Sequence, residues 1–215
     1  MADPTVAQLA RFHSTFERAQ LLVTALTNRT PVQIDEFTNP AAASTTALRA
    51  ATATVTTVRT TTSFSAGGVA ALLAYPRTIT VTTAGSTAAS APASVLITGT
   101  DVDGNVQSET LNVAQTAATV TSAKLYKTLT SIVEAAADDT DATLAFGFGV
   151  ALGLSRLPKL RAGAISVLNE NAVGARVTTG TFTLPASAAP YGSYTPSSAA
   201  DATRDYAIAY ELDLS

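Results

Sequence analysis

The feature that most constrains the fold is a strand–turn–strand pattern in the middle of the chain. Residues 95–102 and 106–113 are rich in β-branched and apolar side chains, and Asp103-Gly104 separates them. Asp-Gly between two such runs is a strong hairpin signal, because a type I′ turn needs positive φ at both central positions. The pattern therefore predicts an antiparallel β-hairpin.

Further strand-like runs flank this hairpin. Residues 78–83 (Thr-Ile-Thr-Val-Thr-Thr) alternate with a period of two, and residues 125–133 and 142–148 continue the pattern. The acidic sequence Asp138-Asp139-Thr140-Asp141 reads as a turn between the last two. Strands of this length with turns at this spacing are typical of an antiparallel β-sandwich or barrel.

The last third of the chain predicts a smaller set of strands. The basic segment 154–161 is expected to cross between sheets, and residues 164–168 and 173–184 are expected to form a hairpin. A loop over 185–202 leads to a final strand at 205–214. Apolar and polar residues alternate along that strand, which predicts that one of its faces is buried. The residues of this face are Tyr206, Ile208, Tyr210, Leu212 and Leu214.

The N-terminal segment predicts a helix over residues 3–27. Asp3 is a good N-cap, Pro4 suits the first helical position, and Pro31 prevents continuation. One stripe of the helix is apolar; its residues are Leu9, Phe12, Phe16, Ala19, Val23 and Leu26. Two interpretations remain open: the helix packs on its own β domain, or it serves as an oligomer seam or docking helix.

The remaining segments complete the predicted architecture. Residues 28–50 read as an extended arm that allows a short helical turn, and residues 52–64 read as a strand rich in Thr and Val. We predict a mainly β protein with a helix and arm over 1–50 and a central β domain over 51–162. A C-terminal hairpin and closing strand over 163–215 pack on the central domain.

The composition argues against catalysis. Ala and Thr supply 79 of the 215 residues, Cys and Trp are absent, and His13 is the single histidine. His is the most frequent general base, and thiolate nucleophiles and soft metal sites need Cys. His13 is expected to be a partly exposed helix residue. We therefore expect no enzyme activity and no cofactor.

The low charge argues for burial against other proteins. Charged residues are 13% of the chain and the net charge is −3. Without a basic block nucleic-acid binding is not expected, and without about 20 consecutive apolar residues neither is a membrane span. Because Ala buries little area, the core is expected to be thin, with part of the stability coming from neighbouring subunits.

Several acidic groups could bind a cation or act in catalysis. Asp101-Val102-Asp103-Gly104-Asn105 resembles part of a calcium loop, but its Gly comes too early and a turn explains it. The cluster over 138–141 could hold a divalent ion, although Asp-rich loops are usually solvated turns. A glycosidase pair would have to come from Glu109, Glu134 or Asp141, without a pattern that selects them.

Gly147-Phe148-Gly149 reads as a strand end rather than a dinucleotide loop.

Several segments together resemble a known group of proteins. They are Pro76–Thr82, Ile97–Asn105, Ser108–Leu111, Tyr126–Ile132, Phe146–Gly149 and Asp205–Glu211. In these segments the chain is similar to β-rich virion structural proteins of tailed bacteriophages, and most similar to those that decorate the head or form short head fibres. The resemblance implies a non-enzymatic homo-oligomer, a dimer or trimer, seated on the lattice of the major capsid protein. It also implies synthesis in the host cytoplasm and a final place on the capsid exterior.

Candidate contact residues follow from this expectation. The apolar residues Leu9, Phe12, Phe16 and Val23 and the basic residues Arg156, Lys159 and Arg161 are the predicted contacts with the capsid or another partner. Basic side chains there, with Arg11, Arg18 and Arg29, could pair with an acidic surface, although isolated surface cations are the simpler interpretation. The alternative function is a tail or collar fibre, or an adhesin module, that binds a host receptor or glycan. Its aromatic contacts would be Tyr191 and Tyr194.

Overall fold

A computed structural model describes residues 32–64, 73–85, 90–113, 117–158, 166–169, 180–183 and 191–212. These residues form β-strands and contain no α-helix. None of them belongs to a helix long and apolar enough to cross a membrane. The strands are β1 (Val32–Phe37), β2 (Ser44–Ala53), β3 (Arg59–Thr61), β4 (Arg77–Gly85), β5 (Ser94–Thr100), β6 (Val106–Asn112), β7 (Ala118–Tyr126), β8 (Thr128–Glu134), β9 (Ala142–Gly153), β10 (Ser166–Asn169), β11 (Thr181–Thr183), β12 (Ser193–Thr195) and β13 (Tyr206–Glu211).

Two antiparallel sheets enclose the main core. The larger has the order β11-β12-β9-β4-β7, with β2 also paired to β9, and the smaller has the order β3-β8-β5-β6. Their inner faces meet in one apolar cluster, which includes Leu48, Ile79, Val81, Val95, Ile97, Tyr126, Ile132, Leu144 and Phe146. The predicted mainly β, antiparallel sandwich or barrel-like fold is confirmed.

Side chains join the two sheets at two seams. At the first, Arg49 of β2 donates to Thr61 Oγ1 of β3 at 3.0 Å, and Arg59 of β3 donates to Ala53 O at 2.8 Å. At the second, Glu109 of β6 accepts hydrogen bonds from two backbone N–H groups of β7. Gln107 of β6 donates to Leu125 O at 2.6 Å. Side chains thus satisfy backbone groups that would otherwise lie open at sheet edges.

A third sheet, ordered β1-β13-β10, builds a second core. Tyr206, Ile208 and Tyr210 of β13 lie in one apolar cluster with Leu152 of β9 and Tyr194 of β12. The predicted tyrosine-bearing face of the last strand is therefore buried. The opposite face is buried as well, because Ala207 and Ala209 are 9% and 2% exposed, so the strand is not half-buried as its alternation predicted.

The segment 154–158 leads from β9 in the large sheet toward β10 in the third sheet, as its predicted crossing role requires. Its anchor is the buried carboxylate of Asp35, which accepts hydrogen bonds from Ser155 N at 2.8 Å and from the Tyr210 hydroxyl at 2.8 Å. Ser155 Oγ contacts the same carboxylate. Because a buried carboxylate is costly without such donors, this network fixes the crossing in place.

Several local predictions were wrong. The Asp103-Gly104 hairpin exists, but Gly104 has a φ of 85° while Asp103 has negative φ, so the turn is not type I′. Gly104 N donates to Asp101 O and Asp101 N to Asn105 O, at 3.3 and 3.0 Å. This is the pattern of a three-residue loop in which a type I turn precedes a left-handed glycine.

Two strand assignments were also wrong. The predicted strand over 125–133 is two strands, because the chain turns at Lys127 from the large sheet into the small one. Gly147 is not at a strand end but inside β9. A Cβ there would lie 1.8 Å from Ser44 O, so glycine allows β2 to cross closely.

The N- and C-terminal pairings differ from expectation too. The predicted arm contains β1 and β2, each paired within a sheet, and its described part forms no helical turn. The predicted strand over 52–64 is the end of β2 followed by β3. Of the predicted hairpin over 164–168 and 173–184, the described parts are β10, which pairs with β13, and β11, which pairs with β12; residues 170–179 lie outside the described residues. The predicted helix, with Leu9, Phe12, Phe16 and Val23, lies outside the described residues, as do His13, Lys159 and Arg161.

Candidate interaction surfaces

The outer side of the small sheet is an uncharged surface, here called the threonine face. Val95 and Ile97 of β5 are fully buried, so the alternate residues Leu96 and Thr98 point outward. The strand register places outward residues of all four strands side by side. The threonine face consists of Thr60, Leu96, Thr98, Thr100, Val106, Ser108, Thr110, Thr128, Ser131 and Val133, and none of these side chains is charged.

The threonine face combines exposed apolar groups with neutral hydroxyls. Leu96 is 38% exposed and Val106 is 80% exposed. Thr100 and Thr128 share a hydrogen bond of 2.7 Å between their hydroxyls, which fixes one cross-strand pair. Such a surface can pack against another protein without taking any charge out of water, and charge desolvation is the largest cost of burying a polar surface.

A second uncharged surface is a groove on the large sheet around Thr78, here called the Thr78 groove. Beside this residue β4 changes register against both of its neighbours. Residues 122–124 of β7 and 149–151 of β9 bulge outward at the same level. Bulges bend a strand and re-aim its side chains, and they are common beside functional sites.

The two bulges together create the Thr78 groove, which has a volume of about 390 Å³. Gly149 forms part of its lining, and a Cβ there would lie 2.4 Å from Thr78 Oγ1. A larger residue at position 149 would therefore displace the Thr78 hydroxyl from its place in the groove. Its lining consists of Thr78, Thr121, Ser122, Ala123, Leu125, Gly149, Val150, Ala151, Thr183, Tyr191, Gly192, Ser193 and Thr195.

Arg77 supports the bulge of β9. Its buried guanidinium donates two hydrogen bonds to Gly149 O, at 3.0 and 2.5 Å, and one to Ala41 O at 3.1 Å. The same group lies 4.8 Å from the centre of the Phe148 ring. Burial lowers the pKa of Arg77 to about 10, so the side chain stays charged at neutral pH. Arg77 thus supplies hydrogen bonds to Gly149 O, a backbone carbonyl that lies in the bulge, where the regular pairing between strands is interrupted.

Tyr191 forms one wall of the Thr78 groove. A hydrogen bond to the Asp103 carboxylate raises the pKa of its hydroxyl, and the Arg156 guanidinium lies 5.9 Å from the centre of its ring. Tyr194, the other tyrosine of the predicted aromatic pair, is fully buried in the second core. The prediction that both tyrosines offer an exposed contact is therefore wrong for Tyr194.

Arg156 is the predicted basic contact residue that the structure describes. Its side chain is 55% exposed and forms an ion pair of 3.6 Å with Asp103. Exposed ion pairs contribute little to stability, about 0–1 kcal/mol. Arg156 is thus accessible to a partner, although one carboxylate already lies beside it.

The candidate acidic groups have structural roles or lie in solvent. Asp101 accepts hydrogen bonds from Asp103 N and Asn105 N, both at 2.9 Å, so its carboxylate holds the hairpin turn. Glu109 closes a seam, and Glu134 is bound by two arginines. The acidic residues over 138–141 are exposed. In the described part of the chain, no three His, Cys, Asp or Glu side chains are grouped so that they could hold a metal ion.

The sequence indicated Tyr191 and Arg156 as candidate contact residues, but it predicted neither the threonine face nor the Thr78 groove. The threonine face could have been derived from the period-two pattern of β5 and β6, had the outward residues been compared for charge. The Thr78 groove had no such signal, because it depends on two bulges that involve strands distant in sequence. Comparison of the chain with protein-family models, curated proteins and solved structures found no match.

Proposed function

We propose that this protein is a non-enzymatic structural protein of a tailed-bacteriophage virion, which decorates or cements the capsid as a homo-oligomer. The observation that carries the proposal is the threonine face, a four-stranded surface without a charged side chain. Soluble monomers usually distribute charges of both signs over their surface. The resemblance of the hairpin and neighbouring segments to head decoration and head fibre proteins supplies the biological setting.

We assign the threonine face to contacts between copies of this chain. Four strands at about 4.8 Å spacing and seven residues at about 3.3 Å rise give a footprint of roughly 400 Å². A stable interface buries about 800 Å² on each partner. Other segments must therefore contribute to the interface between copies. For the separate contact with the capsid lattice, the candidate is the apolar stripe predicted for the N-terminal helix.

The proposal is tested by co-sedimentation with empty capsids of the phage that encodes the chain. We expect the full chain to sediment with capsids in many copies, and a variant that lacks residues 1–31 to lose at least tenfold in affinity. The deletion must stop before Val32, because β1 begins there and pairs with β13. Far-ultraviolet circular dichroism of the truncated variant checks that the β-sheets are intact.

Two outcomes contradict the proposal. In the first, the full chain does not bind capsids at any concentration at which it stays dispersed. In the second, it is present in purified particles only at trace level. Copies in the hundreds support decoration, whereas a dozen or fewer place the protein at a collar, vertex or fibre instead.

A further inference from the structure

We propose that the Thr78 groove is a binding site for a neutral oligosaccharide, with Tyr191 as its aromatic platform. The inference concerns a surface other than the threonine face and does not depend on the proposed capsid role. The groove has a volume of about 390 Å³, which lies within the range of roughly 300–1,000 Å³ that is usual for small-ligand sites.

The lining of the groove selects an uncharged ligand. The lining residues that the structure describes include no acidic or basic side chain, and they present the hydroxyls of Thr78, Thr121, Thr183 and Thr195. Each hydroxyl can donate one hydrogen bond and accept two. A sugar carries the same groups, so it can exchange its bonds to water for bonds to the groove. An ionic ligand would lose its hydration without gaining a counter-charge from these lining residues, and the Arg156 guanidinium at the rim already pairs with Asp103.

Tyr191 supplies the apolar contact that a sugar ring needs. An aromatic ring offers a flat apolar face beside a polar hydroxyl. The Arg156 guanidinium lies 5.9 Å from the centre of this ring, on the side of the groove where Tyr191 forms the wall. Asp103 and Arg156 at the rim can also form charge-assisted hydrogen bonds with sugar hydroxyls.

The position of the groove argues against a bound peptide strand. Peptides that extend a sheet need an open edge with unpaired backbone groups. The Thr78 groove lies on the face of the sheet, and β4 is paired on both sides. At the bulges, Gly149 O accepts from Arg77 and Ile79 N donates to Ser122 Oγ, so these two backbone groups already have partners. The lining offers mainly side-chain hydroxyls, one aromatic ring and small apolar side chains.

The inference is tested by saturation-transfer NMR with the full chain. The probes are maltotetraose, cellotetraose, mannotetraose and the N-acetylglucosamine tetramer, with tetragalacturonate as the acidic counterpart. We expect at least one neutral tetrasaccharide to bind and tetragalacturonate not to bind. Tyr191→Ala should weaken binding about tenfold or more, and Thr121→Val should weaken it severalfold. Tyr191→Phe, which keeps the ring, should retain more affinity than Tyr191→Ala.

The matched control is Thr130→Val, which removes an exposed hydroxyl from β8, outside the groove. It should bind as the unchanged chain does. The proposal is overturned if no neutral probe binds, if tetragalacturonate binds equally well, or if Tyr191→Ala binds as tightly as the unchanged chain. It is also overturned if resonances of Thr121 and Val150 shift with protein concentration alone, since a second copy then occupies the groove.

Discussion

Glu134 is the most deeply buried carboxylate in the described structure, and its charge is paired with two arginines at the seam between β2 and β3. Its side chain is 2% exposed and pairs with Arg59 at 2.6 Å and with Arg49. Arg49 in turn stacks over the Phe146 ring at 4.0 Å. Burial alone would raise the pKa of Glu134, but the hydrogen bonds and charges of Arg59 and Arg49 outweigh burial and hold that pKa below its usual value.

We predict that Glu134→Gln destabilises the protein by about 3 kcal/mol at neutral pH, because two arginines lose their counter-charge. A carboxylate with a depressed pKa stabilises the fold above its unfolded pKa and loses this effect as pH falls through the folded value. The difference between unchanged chain and variant should therefore shrink below about pH 4. Urea unfolding at pH 7 and pH 3 measures it.

Asp138→Asn is the control for the loss of one negative charge, since Asp138 lies exposed in the loop between β8 and β9. It should leave the free energy of unfolding within about 0.5 kcal/mol of the unchanged value. A Glu134→Gln variant as stable as this control at pH 7 would contradict the role assigned to the buried carboxylate.

At the scale of the elements, side-chain hydrogen bonds to the backbone, and not a backbone–backbone ladder, join β6 to β7 at the second seam. Glu109 of β6 accepts from Ala123 N at 2.9 Å and from Lys124 N at 3.0 Å. We predict that Glu109→Ala costs about 0.5–1.5 kcal/mol, because two hydrogen bonds are lost while water can reach the donors in their place. Hydrogen exchange at Ala123 and Lys124 should accelerate more than elsewhere in β7.

Ser108→Ala is the neighbouring control, because its side chain lies on the threonine face rather than in the seam. Exchange rates at Ala123 and Lys124 should be unchanged in this variant. Equal exchange rates in Glu109→Ala and Ser108→Ala would show that the seam is held by something other than this carboxylate.

The sequence predicted those elements whose signals are local. The alternation over 78–83 identified β4, and Asp103-Gly104 identified the hairpin of β5 and β6, although the turn type was wrong. β1 and β2 were missed as strands because Pro40 and an Ala-rich run resemble a loop, and their pairing partners are distant in sequence. The bulges that create the Thr78 groove depend on how three strands meet at Thr78, which no single segment encodes. The N-terminal helix stays a prediction.

At the scale of the whole molecule, the described residues build two cores and two uncharged outer surfaces. The main core is closed by polar seams, so the small sheet is held in place and presents the threonine face as a neutral surface. Neutral β surfaces favour association with other chains unless charges are placed on them. We therefore propose that the uncharged outward residues of the small sheet cause the chain to form an oligomer.

Sedimentation equilibrium of the full chain tests this claim most directly, with Leu96→Lys/Val106→Lys as the disrupting variant and Ala51→Lys/Thr119→Lys as the control. Both double variants add the same charge at exposed strand positions, but only the first lies on the threonine face. We predict a dimer or trimer for the unchanged chain and for the control, and a monomer for Leu96→Lys/Val106→Lys. A monomeric unchanged chain, or an oligomer that survives both lysines on the threonine face, would contradict the account.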